Sequence, residues 1–138
     1  MTAITAKRQP AGLAALLVTY AGFVLLGLPD GLLGVAWPSM REMYGVPLEA
    51  FGILLLPSTL GYMITSAISG RLIAWRGIGT FLLVGSVLRA VGLLGFALAP
   101  TWELLLLAHL IFGIGNGAVD TGFNTFVASN YSAGRLSW

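Results

Sequence analysis

Four polar residues hold most of the chemistry this sequence could perform, and they share one otherwise apolar stretch, residues 101–130 (TWELLLLAHLIFGIGNGAVDTGFNTFVASN). They are His109, Asn116, Asp120 and Asn124. At about 100° per residue they fall within a sector of roughly 80°, so a helix presents them on one face. The opposite face is Leu, Ile, Phe, Val and Ala. A carboxylate, an imidazole and two amides on one seam can bind hydroxyl groups and move a proton. Ionisable groups at membrane depth are costly and usually face a bundle interior or a water-filled cavity. A plainer role for such a stripe is to join helices through hydrogen bonds. Two titratable groups among the amides favour a site over glue.

The elements that must position this stripe follow from composition. The chain has 138 residues, 57% of them hydrophobic and 9% charged, with a mean hydropathy of +0.91. A soluble domain carries about a quarter charged residues. So few charges cannot cover a water-exposed surface, and the lipid bilayer is the expected surroundings. Cysteine is absent, which excludes disulfides and thiolate metal sites. The net charge of +2 comes from basic residues scattered near the ends of apolar runs, a pattern that marks topology and not a nucleic-acid partner. There is no metal-ligand spacing, no nucleophile–base pair and no phosphate-cradling loop. The expectation is a protein that is not an enzyme and uses no cofactor or metal.

Hydropathy predicts an all-α membrane protein with four transmembrane helices in an up-down array. Residues 1–10 form a cytoplasmic leader with Lys7 and Arg8. The first span covers residues 11–40, longer than the bilayer core requires, with a kink expected at Pro29 and Asp30 directly after it at membrane depth. A short polar loop leads to the second span, residues 50–69, where Ser58, Tyr62, Thr65 and Ser69 recur at helical spacing; such hydroxyls are more often packing devices than ligands. Residues 70–79 (GRLIAWRGIG) read as a tight basic connection. The third span, residues 80–99, has Arg89 at its centre, and a central arginine calls for an anionic partner, Asp30 or Asp120. The stripe-bearing fourth span runs over residues 101–129. Lys7, Arg8, Arg71, Arg76 and Arg135 fall on one side and Arg41 on the other; the basic excess places both termini in the cytoplasm. Trp37 and Trp102 mark the outer interface.

Two short patterns resemble signatures of the major facilitator superfamily of transporters. The connection after the second span is similar to that family's G-x-x-x-D-R-x-G-R-R loop: Gly70 and Gly77 keep the glycine spacing, while Ala74 and Trp75 stand where the aspartate and arginine belong. In the fourth span, His109-x3-Gly113-x3-Gly117 resembles R-x-x-x-G-x-x-x-G/A, with histidine in the arginine position. A narrower resemblance is to the fucose permease branch of proton-coupled sugar symporters. Its fourth helix carries a glycine-rich turn followed by an acid-Thr-x-x-Asn-Pro-Phe-Val run, and residues 115–127 here read GNGAVDTGFNTFV, with aspartate for glutamate and Thr125 for proline.

The resemblance implies a fold of twelve helices of which these are the first four, and residues 131–138 read as a cytoplasmic linker where the chain is truncated. It also implies alternating access in the plasma (inner) membrane, with a small-molecule substrate such as a sugar and with protons as partners. Asp120 maps onto the branch's coupling acid. Asn116 and Asn124 would then be hydroxyl partners, Arg89 the countercharge, Asp30 a looser match to a first-helix acid, and His109 a further candidate. Two alternatives stand beside this reading. One is a small four-helix multidrug exporter that acts as a dimer with Asp30 as its proton-exchanging group; the five-to-one basic bias argues against such dual topology. The other is a non-transporting membrane interaction protein whose polar stripe is only a helix interface.

Overall fold

The structure is a computed structural model that describes residues 13–130, apart from several side chains among residues 13–30 and that of Asn130. The leader with Lys7 and Arg8 and the tail with Arg135 lie outside the described residues. So does the side chain of Asp30. Four helices follow one another: α1 (Leu13–Tyr44), α2 (Ala50–Arg76), α3 (Ile78–Leu98) and α4 (Trp102–Asn130). No strand occurs among the described residues. Each helix contains a stretch long and apolar enough to cross a membrane, with mean hydropathies of 1.4, 1.6, 2.1 and 1.5 in chain order. Helices satisfy every backbone group within the segment, which lipid cannot do. The expected all-α membrane architecture with four spans is what the chain forms.

The connections are short, and two of them turn on glycine. α1 ends where Gly45 takes a positive φ of 63°. There the Val46 N–H donates to the Arg41 carbonyl at 3.0 Å and the Gly45 N–H to that of Glu42 at 3.3 Å. This paired reversal satisfies two carbonyls that the helix end would otherwise leave open. Helical geometry continues through residues 70–76, the stretch read as a basic connection, so the link between α2 and α3 is Gly77 alone. Gly77 sits at φ 80° and ψ 155°, backbone that only glycine adopts without strain.

α4 is the central helix. Half of its most apolar window is buried, against 14–17% for the other three. It packs extensively on both α2 and α3, which scarcely touch one another, and only lightly on α1. Small residues explain the closeness. A Cβ at Gly117 would sit 2.7 Å from the Tyr62 carbonyl oxygen, and one at Gly113 would overlap the Ser58 backbone. On the other side, a Cβ at Gly115 would collide with the Arg89 backbone. Apolar side chains gain little by leaving lipid, so backbone-close van der Waals packing of this kind is what holds membrane helices together. The glycine pair of the fourth-helix signature therefore has a steric reason to be there: it seats α4 on α2.

At the end of the bundle formed by the α1–α2 and α3–α4 connections, Leu33, Trp37, Ala50, Leu54, Ala99 and Leu105 form a buried cluster. Trp37 packs on Phe51 at 5.1 Å and on Trp102 at 6.3 Å between ring centroids. The Tyr44 hydroxyl donates to the Ala99 carbonyl at 2.8 Å, tying α1 to the end of α3. Trp37 is only 5% exposed, so its indole turns inward onto aromatic neighbours and does not face lipid headgroups as an interfacial anchor would.

Candidate functional site

The two packed faces of α4 leave a flank between them. Gly113, Gly117 and Thr121 lie toward α2, while Phe112, Gly115 and Gly122 lie toward α3. At about 100° per residue, the sector of Asn116, Asp120 and Asn124 falls between these faces. This is also the side on which Gly22 of α1 lies beneath the Phe123 ring. Because α2 and α3 barely meet, nothing from them fills the flank completely, and the polar stripe borders an open region instead of a packed seam.

Asp120 is the centre of the arrangement. It lies ten residues before the end of α4 and eighteen after its start, about 15 Å and 27 Å of helix respectively, so it sits at membrane depth. The Tyr62 hydroxyl reaches across from α2 and donates to Asp120 Oδ2 at 2.6 Å. From one turn further along α4, Asn124 Nδ2 donates to Oδ1 at 3.3 Å. A turn below Tyr62, the Thr121 hydroxyl donates to that of Ser66 at 3.3 Å. Interhelical hydrogen bonds in membranes stabilise by only ~0.6 kcal/mol on average. The glycine contacts, more than these bonds, therefore hold α2 and α4 together. What the Tyr62 bond does is occupy and orient the carboxylate.

Beside it, a cleft of about 250 Å³ opens between α2 and α4, with Leu55 and Phe112 as apolar walls and Ser58, Thr59, Tyr62 and Asn116 as polar ones. The Ser58 and Thr59 hydroxyls both donate to the Leu55 carbonyl, at 3.0 and 2.9 Å, so what they offer a ligand is lone pairs. Asn116 Oδ1 is buried and accepts no hydrogen bond among the described residues. Leaving a buried acceptor unpaired costs about 1–3 kcal/mol, so this oxygen favours any arrangement that brings a donor to it.

The stripe does not converge on one point. Asn116, Asp120 and Asn124 lie on consecutive turns, but His109 is eleven residues from Asp120, about 16 Å along the helix. It is 4% exposed and stacks between Phe96 of α3 and Phe112, with ring centroids at 5.4 and 5.7 Å. Arg89 is beside α4 as well, its guanidinium carbon 5.7 Å from the Phe112 ring centroid. Phe112 precedes Asp120 by eight residues, roughly 12 Å of helix. Asp30 lies in α1, its side chain among those not described. Tyr62 is the residue that sequence reasoning underrated. Its helical spacing with Ser58, Thr65 and Ser69 was the available signal, and of these Thr65 and Ser69 are buried at 5% exposure as packing residues while Tyr62 reaches the carboxylate.

No family model matches the chain, and no solved structure matches it. Two curated proteins do. The protein named uncharacterized transporter y4wD of Sinorhizobium fredii (strain NBRC 101917 / NGR234) is 32% identical over 108 residues, 78% of this chain and 29% of the relative. The protein named uncharacterized MFS-type transporter YfkL of Bacillus subtilis (strain 168) is 25% identical over 103 residues, 75% of this chain and 26% of the relative. The chain thus spans less than a third of the length of the curated relatives it matches. With four membrane-spanning helices and these relatives, it is an integral membrane protein related to transporters, one of them named for the major facilitator type.

Proposed function

We propose that these helices form one wall of a proton-coupled secondary transporter for a small polyhydroxylated solute, a sugar of the kind carried by the fucose permease branch. The observation that carries this is the Asp120 carboxylate at membrane depth, held by Tyr62 and Asn124 beside a cleft that Asn116 also lines. Asp120 is the coupling acid. Substrate hydroxyls bond to it and to Asn116 and Asn124, so occupancy and protonation depend on one another. Arg89, two turns toward the α3–α4 connection, supplies countercharge, and Asp30 of α1 is a second acid on the same path. His109 in its aromatic stack supports the wall and does not contact substrate.

The opposite wall comes from further helices. α1, α2 and α3 expose long apolar side chains such as Leu32, Val35, Leu56, Leu60, Leu83 and Leu94, which suit lipid on one side and partner helices on the other. Alternating access follows from the two walls rocking about the central site, in the plasma membrane with both termini cytoplasmic. The test is uptake of radiolabelled L-fucose and related hexoses into energised cells that express the gene product carrying these helices. Accumulation that an uncoupler collapses is the expected result. Downhill flux that an uncoupler leaves unchanged removes proton coupling, and no uptake of any hexose removes the sugar.

A further inference from the structure

The α2–α4 cleft is lined by two residues whose hydrogen-bonding states complement one another, Tyr62 and Asn116. One is a phenol that spends its proton on Asp120; the other is a buried acceptor on Asn116 that accepts from none of the described residues. They are neighbours. Asn116 and Asp120 are four apart on α4, so their side chains start one turn from each other on the same face, and Tyr62 lines the same cleft as Asn116. The Tyr62 backbone is held against Gly117, the residue next to Asn116, so the residue's freedom is in its side-chain torsions and not in where its Cα sits.

We propose that Tyr62 is a two-position switch, whose hydroxyl donates to Asp120 while that carboxylate is charged and turns to Asn116 Oδ1 when it is neutralised. Hydrogen bonds to an ionised acceptor are roughly twice as strong as neutral ones. A charged carboxylate therefore holds the phenol in the arrangement found here, with the Tyr62 hydroxyl on Asp120 Oδ2. Once Asp120 takes a proton it loses the charge that held the phenol and becomes a donor itself, so the Tyr62 proton is free for the amide oxygen of Asn116. No bond is made or broken beyond the proton that Asp120 gains. Other groups near this part of the bundle do not duplicate the role. From α3, Arg89 lies over Phe112; on α4, His109 is about 16 Å away along the helix; from α2, the Ser66 hydroxyl accepts from Thr121 and also sits beside the phenol; and the side chain of Asp30 on α1 is not among those described.

The switch gives the transporter reading a gate. With Tyr62 on Asp120 the carboxylate is covered on the cleft side, and with Tyr62 on Asn116 it is open to a substrate hydroxyl. That meaning rests on the proposed function, but the switch itself needs no substrate. It is tested on the purified protein in detergent micelles, with tyrosine replaced by 3-fluorotyrosine. Tyr62→Phe identifies the Tyr62 resonance among those of Tyr20, Tyr44 and Tyr131. On acidification, that resonance should move between two limiting positions. Asp120→Asn should place it near the acid limit at every pH. In Asn116→Leu and Asn116→Ala the acid limit should be lost or displaced, while the neutral-pH position stays. Helical circular dichroism and monodispersity confirm that each variant is folded, and two different replacements at Asn116 guard against one that is not. A Tyr62 resonance that titrates unchanged in Asp120→Asn overturns the switch, as does an acid limit that both Asn116 variants leave in place. Absence of hexose uptake would remove the sugar from the transport reading and leave this result standing.

Discussion

Asp120 and His109 look alike in a sequence: polar, titratable and on one helical sector. The structure gives them different company. Asp120 accepts hydrogen bonds from Tyr62 and Asn124 next to a cleft, whereas His109 is stacked between two phenylalanines. A residue whose neighbours are aromatic rings can be replaced by another ring. His109→Phe should therefore keep both expression and hexose uptake within about twofold of the parent, since a shape-conserving core swap usually costs under ~1.5 kcal/mol. Uptake assays on membranes of matched protein content check it. Loss of uptake with normal expression would return His109 to the site. What made Asp120, Asn116 and Asn124 legible was their spacing, because i and i+4 are neighbours on any helix. Tyr62 was not legible as their partner. Which residue of α2 meets Asp120 depends on how α2 and α4 register, and that is decided by where Gly113 and Gly117 admit the backbones of Ser58 and Tyr62, a distance no single-helix period contains.

At the scale of the elements, hydropathy alone marked four spans, since an apolar run of such length has few other uses in a chain this poor in charge. Two features were hidden. Helical geometry outruns the apolar core at α2, through Arg71 to Arg76, because charged residues at the end of a helix still satisfy its backbone bonds. And Trp37 turns inward onto Phe51 and Trp102, since an indole meets rings of a neighbouring helix there as readily as headgroups. The packing of α4 against α2 makes a sharp prediction. Gly113→Leu drives a side chain into the Ser58 backbone and should force the helices apart, with folded yield in detergent falling severalfold and hexose uptake lost. Gly34→Leu is the control, because a Cβ there meets nothing within 4 Å; its yield should stay near that of the parent. Size-exclusion profiles and cross-linking between cysteines placed on α2 and α4 report both outcomes. Equal effects at the two positions would mean that the glycine-seated interface is not what holds the pair.

The whole molecule is a bundle organised around one helix, with α2 and α3 on either side of α4 and α1 laid lightly along its polar flank. The orientation proposed for it rests on charge. Arg71 and Arg76 lie at the α2–α3 end, and Arg41 at the opposite one. With the basic residues near the termini, the proposed orientation has the α2–α3 connection in the cytoplasm. Cysteine at Glu49, exposed in the α1–α2 connection, should react with an impermeant maleimide on intact cells. Cysteine at Gly79, exposed at the start of α3, should react only after permeabilisation. The reverse pattern would overturn the orientation and favour an exporter of dual topology.

The claim on which the account turns is that Asp120 couples proton movement to substrate, and one substitution isolates it. Asp120→Asn keeps the size and hydrogen-bonding capacity of the side chain, but removes the titratable proton. In cells expressing the gene product that carries these helices, concentrative hexose uptake should fall by at least ~10-fold, the equivalent of ~1.4 kcal/mol or more in the driving equilibrium. Counterflow exchange, which needs no net proton movement, should persist at a measurable fraction of the parent rate. Full concentrative uptake by Asp120→Asn would contradict the account, because a carboxylate that can lose its proton without consequence couples nothing.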